Sequence, residues 1–190
     1  MARLRSFLAV ELPSQTLSEI GRVQRDLRAC RADVRWVAVE RIHLTLKFLG
    51  NIDEEHIADI SSAMAEAADQ KKAFKLSLRG LGAFPSIRNP RVIWLGLDGW
   101  EQNLLPLQND LESRLEALGF QREEKPYRPH LTLGRVKSLK GRDDLVDLME
   151  RDREVDLGSF PVDRITLFRS DLRPSGPVYT PLAVRELAGG

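Results

Sequence analysis

One cysteine, three histidines and two tyrosines occur in 190 residues, and each scarcity closes a class of chemistry. Cys30 alone can form no internal disulfide and no cysteine zinc cluster, which fits a reducing cytoplasm and reads as a buried, inert thiol. Neither sign of charge is in excess: 29 basic residues stand against 28 acidic ones, for a formal net charge of +1. Bulk attraction therefore does not drive binding to a polyanion, and a nucleic-acid partner has to be held by local features. Long apolar runs are missing too. Phe7-Leu8-Ala9-Val10 is too short for a signal core or a membrane span and Glu11 ends it, so we expect a cytoplasmic protein with no membrane partner. No GxSxG, HExxH or phosphate-binding glycine loop is found, and no low-complexity tract interrupts the chain.

What is present is the ordinary material of a globular core, 42% hydrophobic and 30% charged, enough for one compact domain spanning 1–190. Residues 5–12 (RSFLAVEL) form an apolar run ended by Pro13 and predict a strand. Ser14 is placed to cap a helix carrying Leu17, Ile20, Val23 and Leu27 at near-helical spacing. A strand over 42–48 follows, then a helix capped by Asp53 with Ile57, Ile60 and Met64 on one face, and an alternating strand over 74–81. The same order recurs: a strand over 91–97, a helix over 101–118 stopped by Gly119, the PHLTLGRV segment, a short helix over 143–149 and a strand over 162–168. Glycine and proline mark 80–90 and 172–177 as loops, the first being the seam between halves.

His43-Leu44-Thr45-Leu46 reappears 87 residues later as His130-Leu131-Thr132-Leu133. The same offset carries Phe7 to Trp94, Leu17 to Leu104, Asp53 to Lys140 and Leu76 to Asp163. Strand lands on strand and helix on or beside helix, which predicts an internal duplication and two lobes related by an approximate two-fold.

In a strand, alternate side chains share a face. His43, Thr45 and Lys47 then point one way and Leu44, Leu46 and Phe48 the other; in the second copy His130 and Thr132 oppose Leu131 and Leu133. Each strand offers an imidazole and a hydroxyl about 7 Å apart, a reach suited to two oxygens of one phosphate. Two such faces across a groove make acid-base displacement at phosphorus possible. One neutral imidazole takes a proton from water while one imidazolium protonates the departing oxygen, and an ordinary pKa near 6.5 lets both forms coexist. Threonine hydroxyls can donate to the non-bridging oxygens.

Two other readings of the motif compete. The histidines could be satisfied partners inside a sheet and the threonines plain β-branched strand residues, but a matched pair argues against that. Metal binding is the second, yet threonine is a poor zinc ligand, His56 has no matching partner, and no metal or cofactor is expected.

HLTLKFLG and RPHLTLGRV, with RSFLAVELP before them, GLGAFP and RVIWLGL between and SDLRPSGPVY near the end, resemble the two-histidine phosphoesterase superfamily. Within it the chain is similar to the bacterial and archaeal RNA 2′,3′-cyclic phosphodiesterases, also called 2′-5′ RNA ligase-like proteins. The resemblance implies an α+β fold, with two pseudo-symmetric lobes whose antiparallel sheets face a central cleft and whose helices lie outside. It implies metal-independent opening of a 2′,3′-cyclic phosphate on RNA 3′ ends or nucleosides to the 2′-phosphate. By motif, His130 resembles the proton acceptor, His43 the proton donor, and Thr45 and Thr132 the phosphate-binding positions; the duplication leaves the direction of the pair open. Alternatives are 2′-5′ ligation of tRNA halves and a non-catalytic module that binds RNA ends or nucleotides.

Residues 125–142 hold six basic side chains, Lys125, Arg128, Arg135, Lys137, Lys140 and Arg142, and no acidic one. They make a local positive region around the second motif. Arg128, Arg135 and Lys47 are candidate substrate contacts, although Arg135 shares the His130 face only if its strand bulges. Phe84, Tyr127 and Tyr179 could stack on a base, while Trp36, Trp94 and Trp100 read as core or edge residues. No protein partner is implied, and a monomer is expected.

Overall fold

The computed structural model describes residues 3–189; Met1, Ala2 and Gly190 lie outside them. Two antiparallel sheets face one another. One has the order β3 (Leu44–Asp53), β1 (Arg3–Val10), β8 (Arg164–Arg173), β9 (Gly176–Glu186). The other runs β2 (Val34–Trp36), β6 (Leu131–Val136), β5 (Asn89–Asp98), β4 (Phe74–Ser86), β7 (Asp156–Val162). Helices α2 (His56–Asp69) and α3 (Trp100–Ala117) cover the first sheet, while α1 (Ser14–Arg28) packs on β7 and against α4 (Arg142–Arg151). This is the α+β, two-lobed architecture expected from the motifs. Among the described residues no helix is long and apolar enough to cross a membrane.

The chain weaves between the lobes. β1 lies in the first sheet, α1 and β2 belong to the second, and β3 returns beside β1; β4 then pairs with β5 and β7, while β8 joins β1. Each sheet therefore draws strands from both halves of the sequence. Adding 87 to β1 gives 90–97, inside β5, and adding it to α1 gives 101–115, inside α3. The central orders β3-β1-β8 and β6-β5-β4 correspond in the same way.

Amphipathic spacing explains the helices. Leu104, Leu107, Leu111 and Leu115 bury one stripe of α3, and Ile20, Val23 and Leu27 one stripe of α1. Polar residues interrupt both: Gln108 and Glu112 on α3 and Gln24 on α1 are buried with the leucines. The two expected side-chain caps are not made. Pro13 holds the cap position of α1 and its carbonyl accepts the Leu17 N–H, while Asp53 stays in the β1–β3 ladder and α2 begins at His56.

Residues 80–90 and 172–177 are not loops. β4 and β5 run through the first as a hairpin, and β8 and β9 through the second, with Arg173 paired to Gly176. Glycine and proline here mark bulges and close approaches inside strands. Gly80 sits at a positive φ where the register of β4 shifts, and the Trp94 indole occupies the space that a side chain at Gly82 would need. Cys30 is half-buried, with its thiol directed to the Leu27 carbonyl.

Both histidine strands bulge at the same point. Leu8 pairs with Lys47 and Ala9 with Thr45, so Leu46 is the extra residue; Ile93 pairs with Gly134 and Trp94 with Thr132, so Leu133 is. An extra residue inverts the inward and outward alternation beyond it. Lys47 is consequently turned away from the His43 face and is 2% exposed, whereas Phe48, expected in the core, is 59% exposed. On β6 the inversion brings Arg135 round to the His130 face, which a regular strand would not allow.

Candidate active site

A cleft of about 630 Å³ lies between the sheets and is lined by His43, Thr45, His130 and Thr132 together. Each imidazole is oriented in the same way. His43 Nδ1 lies 2.8 Å from the Arg41 carbonyl and His130 Nδ1 2.7 Å from the Arg128 carbonyl, in both cases two residues back. A carbonyl can only accept, so Nδ1 carries the proton in each neutral ring and Nε2 is the free basic atom. The two residues line the cleft from different sheets with the same ring nitrogen left free. The Thr45 and Thr132 hydroxyls have no protein partner among the described residues and line the same space.

The surroundings of the two rings differ. Phe7 stacks on His43 at 4.8 Å, and Tyr179 meets it edge-on at 5.2 Å. Phe168 packs behind Phe7. Burial in this aromatic corner lowers the His43 pKa from its ordinary 6.5, and the Arg41 carbonyl offsets part of that. Burial also pushes the Tyr179 phenol up, against the opposing charges of Arg41 and Arg5. Phe84 stands edge-on to His130 at 5.1 Å. Phe84 and Tyr179 thus each flank one histidine.

Arg5, Arg35, Arg41, Arg135 and Lys137 line the cleft, and no acidic residue does. None of the five is in an ion pair among the described residues, although arginines elsewhere on the surface are paired. Arg35 and Arg135 stand directly opposite on β2 and β6. Like charges so placed repel, and an anion between them would relieve it. Arg5, Arg35 and Arg41 were not anticipated. Arg41 was accessible to sequence reading, because Arg41 and Arg128 extend the repeat to RxHLTL; Arg35 depends on a strand register that no local pattern carries.

Lys47 and Tyr127 do not meet the expectation of substrate contact in this cleft. The Lys47 ammonium, sealed beneath α3, donates to Glu112 Oε2 and to the Gln121 carbonyl, both at 2.8 Å. The Tyr127 hydroxyl donates to the Thr45 carbonyl at 2.9 Å, and burial pushes its phenol far above the usual range. Arg128 lies outside the main cleft, on a second groove of about 1010 Å³ that also reaches Thr45, Phe48 and His130. Among the described residues no three histidine, cysteine or carboxylate side chains come together as a metal site would require.

A family model described as LigT-like phosphoesterase matches the sequence twice, over residues 10–94 and 97–179. The RNA 2′,3′-cyclic phosphodiesterase of Methanothermobacter thermautotrophicus is 38% identical, covering 97% of this chain and all of that protein. That of Methanocaldococcus jannaschii is 35% identical over 93% of this chain and 96% of its own. A crystal structure of a Thermus thermophilus protein superposes with a TM-score of 0.80 at 32% identity, covering 97% and 98% of the two chains. Escherichia coli LigT complexed with 3′-AMP gives 0.76 at 27% identity, covering 98% and 99%.

Proposed function

Because the chain belongs to the LigT-like phosphoesterase family, within the two-histidine superfamily, we propose that it hydrolyses 2′,3′-cyclic phosphates at RNA 3′ ends or on nucleosides to the 2′-phosphate. The observation that carries this reading is the matched pair of imidazoles lining one cleft, each held at Nδ1 by the carbonyl two residues back so that Nε2 is left free. His130 accepts a proton from water as the water oxygen bonds to phosphorus. The bond from phosphorus to the 3′ oxygen breaks, and His43 delivers its proton to that oxygen. Thr45 and Thr132 donate to the non-bridging oxygens, where charge concentrates. The five unpaired cations of the cleft favour a substrate carrying several phosphates, which is to say an RNA end. The protein acts as a cytoplasmic monomer without a cofactor.

The test is hydrolysis of a 2′,3′-cyclic nucleotide and of an RNA oligomer ending in a cyclic phosphate, in excess EDTA. Turnover to the 2′-phosphate at an undiminished rate is expected; a rate abolished by EDTA and restored by a divalent ion would overturn metal independence. A second reading, attack by an RNA 5′ hydroxyl to give a 2′-5′ bond, is favoured by the groove that opens on His130 and Thr45. Incubation of cleaved RNA halves would separate joined from hydrolysed product. Water competes at an open site, so hydrolysis predominates.

Activity needs His43 protonated and His130 neutral, which gives a bell-shaped pH profile. Burial lowers His43 in the empty cleft, so its proton is lost at a lower pH than in a free imidazole. A bound phosphate anion favours the charged imidazole and raises it again. The optimum of kcat/KM, which reports the free protein, should therefore lie on the acid side of the optimum of kcat. Coincident or reversed optima would contradict the placement of the acid in the buried corner.

A further inference from the structure

Each histidine is approached by a segment fastened to the strand of the other histidine. Upstream of His43, β2 pairs with β6, the Val37 N–H donates to the Leu133 carbonyl, and Gln24 Nε2 bridges the Val37 and Leu133 carbonyls at 2.8 and 2.9 Å. That tie is largely backbone. Upstream of His130, residues 121–128 make no backbone–backbone hydrogen bond among the described residues, and most of them are exposed. This run is held to β3 through side chains: Tyr127 to the Thr45 carbonyl and Lys47 to the Gln121 carbonyl.

The place they hold is the bulge itself. β3 is an edge strand, so its outer carbonyls have no neighbouring strand to satisfy them. The Thr45 carbonyl takes the Tyr127 hydroxyl, and the next carbonyl, Leu46, takes Gln108 Nε2 at 3.4 Å. Lys47 follows directly, and its ammonium is aimed by Glu112, which Gln108 also donates to at 3.1 Å. An exposed run without backbone bonds belongs to the least stable part of a fold. Beyond His130 the chain is held in the β5–β6 ladder, so the two ties to β3 are what hold its approach, including the Arg128 carbonyl that orients the ring, against the His43 strand.

We propose that Tyr127 and Lys47 are positioning residues that strap the approach to His130 onto the edge of the His43 strand and so set the separation of the two imidazoles across the cleft. The inference rests on the two-histidine reading above. Neither residue lines the cleft that the two histidines share; they act through Thr45 and His130. Displacement of a reacting group by about 1 Å costs on the order of 10²-fold in rate.

Tyr127→Phe keeps the ring and removes only the strap. Its kcat on a cyclic nucleotide should fall about 10- to 100-fold with KM within about threefold of wild type. Its thermal midpoint should change little. A merely structural tyrosine would lower the midpoint and leave kcat intact well below it, and that result would overturn the proposal. Imidazole NMR gives a readout independent of turnover: a broadened His130 ring beside an unchanged His43 ring. Should wild type fail to turn over, the functional reading falls while the imidazole spectra still decide the strap; a wild-type His130 signal in Tyr127→Phe would overturn it.

Discussion

His130→Ala lowers kcat about 10²- to 10⁴-fold while KM stays within a few-fold, and His43→Ala does the same. Each change removes a proton-transfer group and leaves the threonine hydroxyls and the cleft cations to bind phosphate. The losses should not add, because a base without its acid gains little. The double variant should fall only modestly below the worse single one. Alanine also frees the Arg41 or Arg128 carbonyl, but Arg41 lines the main cleft and Arg128 the second groove, where water can reach them, so the fold is retained. Single-turnover assays on a cyclic nucleotide, with thermal denaturation as the check on folding, measure this. A single variant keeping more than about a tenth of wild-type kcat would remove that histidine from the chemistry.

The core of this site was legible in the sequence because it is local. His43 and Thr45, or His130 and Thr132, are two residues apart on one strand, and two-residue alternation is what a strand imposes. The alternation could be followed only as far as the bulge. Leu46 and Leu133 look like ordinary inward leucines, yet each is the extra residue of its ladder, and beyond it Lys47 and Phe48 exchange faces. A bulge is a relation between two strands, and β1 and β5, which define it, lie far off in the chain. The crossing of strands between sheets escaped for the same reason. Nothing in β4 alone says that it pairs with β5 rather than with β1.

Other failures had a visible signal. Gln24 falls within the Ile20, Val23, Leu27 stripe, and Gln108 and Glu112 fall within the Leu104, Leu107, Leu111, Leu115 stripe. A polar residue on an apolar face must find a buried partner. These three do: Gln24 and Gln108 reach the two bulge carbonyls, and Glu112 reaches Lys47. The glycines of 80–90 carried the opposite trap. Turn composition suggested a loop, whereas Gly82 is needed because the Trp94 indole lies over it within a sheet.

Glu112→Ala is expected to destabilise the protein by about 3–5 kcal/mol, because it leaves the Lys47 ammonium buried without its counter-charge. Lys47 and Glu112 side chains are 1% and 4% exposed, and their 2.8 Å contact lies under α3 where water cannot replace a lost partner. Gln108 loses an acceptor in the same step, and the edge carbonyl of Leu46 loses a well-aimed donor. Replacing both charges, as in Lys47→Met with Glu112→Met, removes the pair and its desolvation together, and apolar side chains of similar volume recover most of the loss. Urea denaturation of the wild type, the single variant and the pair would show this as a midpoint that drops and then returns. A single variant within about 1 kcal/mol of wild type would mean that the pair is not sealed, since exposed ion pairs contribute only that much. Kinetics on the stable double variant separate packing from positioning. Its Gln121 carbonyl has no ammonium to hold it, so stability returns while kcat stays below wild type, and recovery of both would confine Lys47 to the core.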